Sequence, residues 1–229
     1  MRIIGEDICI RCMSVLMIVL MWGGESRAQF YTTGADPYDV NWVQYRGEGY
    51  RWIGAREVMP KMALYGSYVD SVVSRVGKTL WEAPGHVDIL LHSRTSYSNG
   101  LVSWAPKRME LYLTPSWGDD CVTWLEHLFA HEYRHVVQMS ALNRGFTKAL
   151  FCLFGEQAIG LVSGLYVPKW FLEGDAVATE TALTYGGRGR SGAFIQQMRA
   201  LSLERHYAKY DAAYNGSYRE RYPNYYHMG

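Results

Sequence analysis

An excess of charge of either sign is missing from this chain. Its 229 residues carry 23 lysines and arginines against 22 aspartates and glutamates, a formal net charge of +1. Such balance offers no electrostatic footprint for a phosphate backbone, so a dedicated nucleic-acid binder is excluded. Long hydrophobic runs are also missing. The apolar stretch at residues 12–22 is 11 residues, and a bilayer-spanning helix needs about 20. Internal repeats and low-complexity tracts are absent. Cysteine is scarce, four in all, and two of these, Cys9 and Cys12, lie at the N-terminus. What remains is an ordinary globular composition, 48% hydrophobic and 20% charged, which excludes wholesale disorder. The length suits one domain of about 200 residues with a real core.

The N-terminus reads as a secretory signal over 1–28. Arg2 and Arg11 precede the apolar run, and Ser26-Arg27-Ala28 places small residues before a cleavage point. Glu6 and Asp7 run against that pattern. The expectation is an exported protein (periplasmic, cell-surface or secreted) with a domain over 29–229. Export would permit a disulfide between Cys121 and Cys152; a buried Cys152 thiol is the other reading.

Hydrophobic periodicity divides the domain. Residues 40–45 and 49–54 read as strands rich in Val, Trp, Tyr and Ile. Met62, Tyr65, Val69, Val72, Val73 and Val76 recur at helical spacing over 57–80. Strand patterns return at 87–93, 101–104 and 108–113. Pro106 marks an edge or a bulge. Helical patterns follow at 122–142, 147–164, 170–184 and 192–212, separated by Asn143-Arg144-Gly145, Pro168 and Gly186-Gly187. A strand-rich part (29–120) followed by a helical part (121–229) implies an α+β fold with a small mixed or antiparallel sheet. Tyr207, Tyr210, Tyr214 and Tyr218 form a stripe at helical spacing, expected to be a packed helix face.

The chemistry sits at His131-Glu132-Tyr133-Arg134-His135, an H-E-x-x-H. On a helix, residues four apart share a face, so both imidazoles can converge on one metal ion. Glu132 can then reach a metal-bound water as general base. A catalytic zinc site takes three protein ligands and keeps a fourth position open. No third histidine follows at the metzincin spacing, where Gln138 and Ala141 stand.

Downstream stands Pro168-Lys169-Trp170-Phe171-Leu172-Glu173-Gly174-Asp175-Ala176. H-E-x-x-H-x-x-Q followed by P-x-W-x-x-E-G-x-A resembles the gluzincin-type zinc metallopeptidases. The resemblance implies Zn2+ held by His131, His135 and Glu173, with Glu132 as the base. It also implies that Gly174 and Ala176 let two helices approach closely. Tyr226 matches the Y-x-x-G context in which the aminopeptidase branch keeps its oxyanion-stabilising tyrosine, with Tyr225 next to it. It further implies that an edge strand, from 100–106 or 108–113, pairs with an extended substrate. Because Y-x-x-G usually opens a further helix in that family, a chain stopping at Gly229 is expected to be truncated.

Several residues carry blander expectations. His127 reads as a structural residue or a support for a ligand and not as a ligand itself, Asp175 as a packing or salt-bridge residue, and His86 and His92 as surface or core. Glu180 is a candidate to orient a ligand imidazole. Arg188 and Arg190 read as a basic loop that could bind an anion. Residues 143–167 read as an inserted helix packed on the domain, with membrane-surface contact through 146–167 as the alternative. The function expected is zinc-dependent hydrolysis of a peptide or protein substrate. A non-catalytic, metal-stabilised recognition or scaffold domain of a larger envelope protein is the rival.

Overall fold

Five strands form one mixed sheet in the order β1-β2-β3-β5-β4: β1 (Trp42–Arg46), β2 (Tyr50–Ala55), β3 (Val87–His92), β4 (Gly100–Trp104) and β5 (Lys107–Tyr112). The computed structural model describes residues 36–116, 124–204 and 225–228, all within one compact unit, Gly34–Gly229. The proposed signal segment, Cys121 and the tyrosine stripe at 207–218 lie outside the described residues. The outer pairs β1–β2 and β4–β5 are antiparallel, while β2–β3 and β3–β5 are parallel. The expected α+β fold is therefore seen, with a mixed sheet. β5 is an interior strand and β4 an edge, so 108–113 is not the edge of the sheet.

Strand alternation places Trp52, Ile89 and Met109 in one row across the sheet, with Gly54, Leu91 and Leu111 in the next row along. These side chains face α1 (Met59–Val76), which starts with a proline in its first turn and buries Met62, Val69, Val72 and Val76 at intervals of seven, three and four. Helix α2 (Trp124–Leu142) packs into the same core through Phe129, Tyr133, Val136 and Val137. Phe129 meets Trp52 at 5.9 Å between ring centroids and stacks on Tyr133 at 5.7 Å.

The other face of the sheet is polar but ordered. Arg51 donates two bonds to Asp88, at 2.8 and 2.6 Å. Glu110 is buried between Arg108, which donates to it at 2.6 Å, and His92 at 3.2 Å. The other ring nitrogen of His92 bonds Asp36, and the imidazole stacks on Tyr112 at 4.6 Å. His92 is thus a buried, paired residue.

The segment after α2 departs from the expected single helix. It forms α3 (Gly145–Phe154) and α4 (Gln157–Tyr166), broken at Gly155, whose φ of +64° belongs to the left-handed region that favours glycine. Packing on the domain holds only for α4, which buries Ala158, Ile159 and Ser163; α3 buries nothing. Cys152 is an exposed free thiol, neither paired nor buried. Then come α5 (Lys169–Leu183), α6 (Gly192–Leu203) and the short α7 (Tyr225–Met228). Pro106 occupies the turn joining β4 to β5. No helix among the described residues is long and apolar enough to cross a membrane.

Burial lowers the basicity of His92, but Glu110 and Asp36 outweigh it and hold the imidazole above its ordinary 6.5. His92 and then Arg108 hold Glu110 below its ordinary 4.5 against desolvation. The His92 contribution to stability is full below 6.5 and fades as pH rises through its raised value. The Glu110 contribution is full above 4.5 and fades as pH falls through its lowered value. Both are present between these limits. In urea unfolding across pH, His92→Gln should flatten the alkaline decline; an unchanged alkaline limb would contradict this assignment.

Candidate metal centre

Helix α2 is built from good helix formers (Leu, Glu, Ala and Met) and lies between the sheet and α5. Its buried residues go almost all the way round: His127, His131, Glu132, Arg134 and Gln138 are buried along with Phe129 and Val137. Five buried polar side chains on one helix demand partners, because an unsatisfied one costs about 1–3 kcal/mol, and more if charged. α5 supplies most of them.

Glu173, on the second turn of α5, faces both imidazoles. Its Oε2 lies 3.4 Å from His131 Nε2 and 3.5 Å from His135 Nε2, and the two Nε2 atoms are 3.3 Å apart. Three ligands at zinc distances of ~2.0–2.1 Å in tetrahedral arrangement would be separated by roughly 3.3–3.4 Å. The donor atoms therefore form a triangle of the size that a tetrahedral face requires. Among the described residues, these three are the cluster able to hold a metal ion. The donor chemistry, two imidazoles and a carboxylate, suits zinc.

The distal ring nitrogens are fixed by the protein. His131 Nδ1 donates to Glu180 Oε2 at 2.9 Å, and Glu180 is completely buried. His135 Nδ1 donates to Gln138 Oε1 at 2.8 Å. These bonds hold a proton on Nδ1 of each ring and turn each Nε2, the atom that would bind a metal, toward Glu173. Gln138 is held in turn, donating to the Leu172 carbonyl at 2.9 Å and to Asp175 at 2.6 Å. Asp175 also receives a forked pair from Arg134, at 2.6 and 2.8 Å, while Arg134 reaches the Val76 carbonyl at 2.6 Å. Asp175 is thus a salt-bridge residue, and Glu180 occupies the orienting position considered for it.

Arg188 closes one side. It donates to Glu180 through its backbone N–H at 2.9 Å and its guanidinium at 2.8 and 3.0 Å. Its Nη2 is also 2.7 Å from His131 Nδ1. Two donors do not bond each other, so the Glu180 carboxylate between them holds both. Gly187 lets the loop come this close: a Cβ there would lie 2.3 Å from the Thr181 backbone. The Tyr226 ring sits 6.3 Å from that of His131 and 5.0 Å from the Arg188 guanidinium carbon. Helix α7 is tethered by His227, which bonds the Phe194 carbonyl at 2.7 Å and stacks on that ring at 4.3 Å. The structure thus brings Tyr226 to the cluster, while the Tyr225 side chain lies outside the described residues. Arg190 points elsewhere, bonding the Thr181 carbonyl. His127 packs edge-on against Trp124 at 5.1 Å, apart from the cluster, and His86 is exposed beside Asp88.

Electrostatics follow from burial and pairing. Burial opposes charge on His131, but Glu173 and Glu180 outweigh it and raise it to about 9. Glu180, desolvated yet bonded to His131 and Arg188, is lowered to about 2. The two imidazoles hold Glu173 ionised against a similar desolvation. Glu132 differs: desolvation dominates and raises it, in the direction a general base at neutral pH requires. Its carboxylate lies against β4, where a Cβ on Gly100 would come within 2.7 Å of Glu132 Cγ and 2.9 Å of its Oε1. Gly100 is a spacer that residue spacing alone did not single out. The partners of Gln138, which the motif includes, and of Arg134 depend on a helix 34 or more residues away.

Compared with known proteins, the chain matches no family model, and no curated protein or solved structure is detectably similar to it. Metal analysis of the purified chain should find about one zinc, lost in His135→Ala and in Glu173→Ala. Glu180→Ala, with all three donors intact, should weaken binding about 10–100-fold in a chelator competition. Undiminished zinc in the two ligand variants would refute the site.

Proposed function

We propose that this chain is a zinc-dependent peptidase of the gluzincin type. The observation that carries the reading is the triangle of His131, His135 and Glu173 donors with a buried glutamate, Glu132, next to the first histidine on the same helix. A site serving only to hold the fold together would not require a carboxylate there, buried and raised in basicity. Zn2+, when bound, would supply polarisation of a peptide carbonyl and a water that ionises near neutral pH.

The chain's own residues account for the rest. Glu132 accepts the proton of the attacking water as its oxygen bonds the carbonyl carbon. It returns that proton to the amide nitrogen as the C–N bond breaks, leaving a carboxylic acid and an amine. Tyr226, beside His131, is the donor offered to the carbonyl oxygen as negative charge develops there. Arg188, fixed by Glu180, adds a positive field on the same side. Edge strand β4 runs past Glu132 at Gly100 and lies where an extended peptide could add as a further strand. Glu180 and Gln138 hold the imidazoles in place.

A mixed peptide library incubated with the zinc-loaded chain should be cleaved. Glu132→Gln should keep its zinc but lose about 10²–10⁴-fold in turnover. An untouched library, or equal cleavage by Glu132→Gln, would overturn the reading. Gly100→Val should likewise retain zinc while slowing cleavage, since its side chain must displace Glu132 or shift β4; unchanged turnover would contradict the role given to this contact.

A further inference from the structure

The α3–α4 hairpin wears its polarity inside out. A helix on the surface of a globular domain turns a polar face to water. On α3, Phe146, Leu153 and Phe154 are 60–77% exposed and no residue is buried. On α4, Leu161, Leu165 and Tyr166 are 59–79% exposed, while the buried side holds Ala158, Ile159 and Ser163. Phe146 and Leu153 are two turns apart on one face, and Leu161 and Leu165 one turn apart on another. Both outer faces are therefore apolar, and Lys148 is the one charged residue on the two helices.

The hairpin is nevertheless seated firmly. Glu156, in the bend, accepts the Lys107 N–H at 2.9 Å at the turn between β4 and β5. Gly160 lies so close to the Trp104 indole that a Cβ would come within 3.0 Å of it. Helix α4 thus rests against the Trp104 end of β4, away from Gly100, and α3 joins it through the bend at Gly155.

We propose that the α3–α4 hairpin docks the protein on an anionic lipid bilayer, lying in the boundary between headgroups and acyl chains. Each helix has 10 residues, about 15 Å long. That is half the ~30 Å hydrocarbon core, so neither can cross it, yet either can lie along its surface. Charge selects the lipid. From 143 to 172 the exposed charged residues are Arg144, Lys148 and Lys169, all basic; Arg144 is paired with Glu82, and the acidic Glu156 is partly buried and accepts the Lys107 N–H. An apolar patch that carries an exposed lysine, Lys148, and no carboxylate on either helix complements anionic headgroups above acyl chains. A protein partner would be expected to face more hydrogen-bonding groups than these helix faces present. The inference is independent of whether the metal centre is catalytic.

The exposed thiol of Cys152 on α3 provides the probe. In the full chain with Cys9, Cys12 and Cys121 replaced by serine, an environment-sensitive fluorophore at Cys152 should shift to the blue with phosphatidylcholine–phosphatidylglycerol vesicles. Phe146→Ser/Leu153→Ser/Leu165→Ser should weaken vesicle binding read at this probe by at least about tenfold, since three exposed apolar side chains lose their burial. Its circular dichroism should be unchanged. Lys148→Glu should weaken binding to anionic vesicles but not to vesicles of phosphatidylcholine alone. Absence of a vesicle-dependent shift would overturn the proposal. So would a shift that persists in the triple variant, or one that grows with protein concentration without lipid, which would assign the face to a second copy of the chain.

Discussion

The seam between α2 and α5 is the constraint on which the rest of the structure depends. Arg134 is buried on α2, and its guanidinium forks onto Asp175 of α5 while capping the Val76 carbonyl at the end of α1. One side chain thus joins three helices. Removing one partner of a buried ion pair costs about 3–5 kcal/mol, because it strands a charge away from water. The same Asp175 fixes Gln138, Gln138 fixes His135, and Leu172 and Glu173 lie within one turn of Asp175. The clamp that joins the helices also sets the spacing of the candidate donor atoms of His131, His135 and Glu173.

A second clamp works from the other end of α5. Glu180 is fully buried and accepts bonds from His131 and from three Arg188 nitrogens. A buried carboxylate is costly unless paired, and this pairing is nearly complete. The site is therefore organised in shells. Sheet and aromatic packing hold α2 from one side, and α5 holds it from the other. Between them lies a cluster of two imidazoles and a carboxylate whose opposite charges support one another.

Some of this was legible beforehand. H-E-x-x-H declares its helix and its two histidines because ligand spacing and helical period coincide. The strands of the sheet and the amphipathic α1 were readable from alternation and from the 3.6-residue period. The break at Gly155 was not, since an apolar run without polar punctuation looks the same as one helix or two. Cys152 differs from expectation for a related reason: an apolar neighbourhood in sequence implies burial, and α3 has apolar neighbours but lies at the surface. The edge strand could not be chosen in advance, because strand order in a mixed sheet depends on crossovers that no local pattern records.

Residue types and spacing by themselves determined the chemistry on offer: two imidazoles on one helix face, a carboxylate beside the first, and a second helix bringing a candidate third donor. Only the tertiary structure decided that the three donor atoms meet at 3.3–3.5 Å, that Tyr226 and Arg188 stand beside them, and that Gly100 leaves room for Glu132. The physical reason is range. Helical period acts over a few residues and is written in the chain, whereas the partners of His131 lie 42 to 95 positions away and are brought there by burial of polar groups that must find one another.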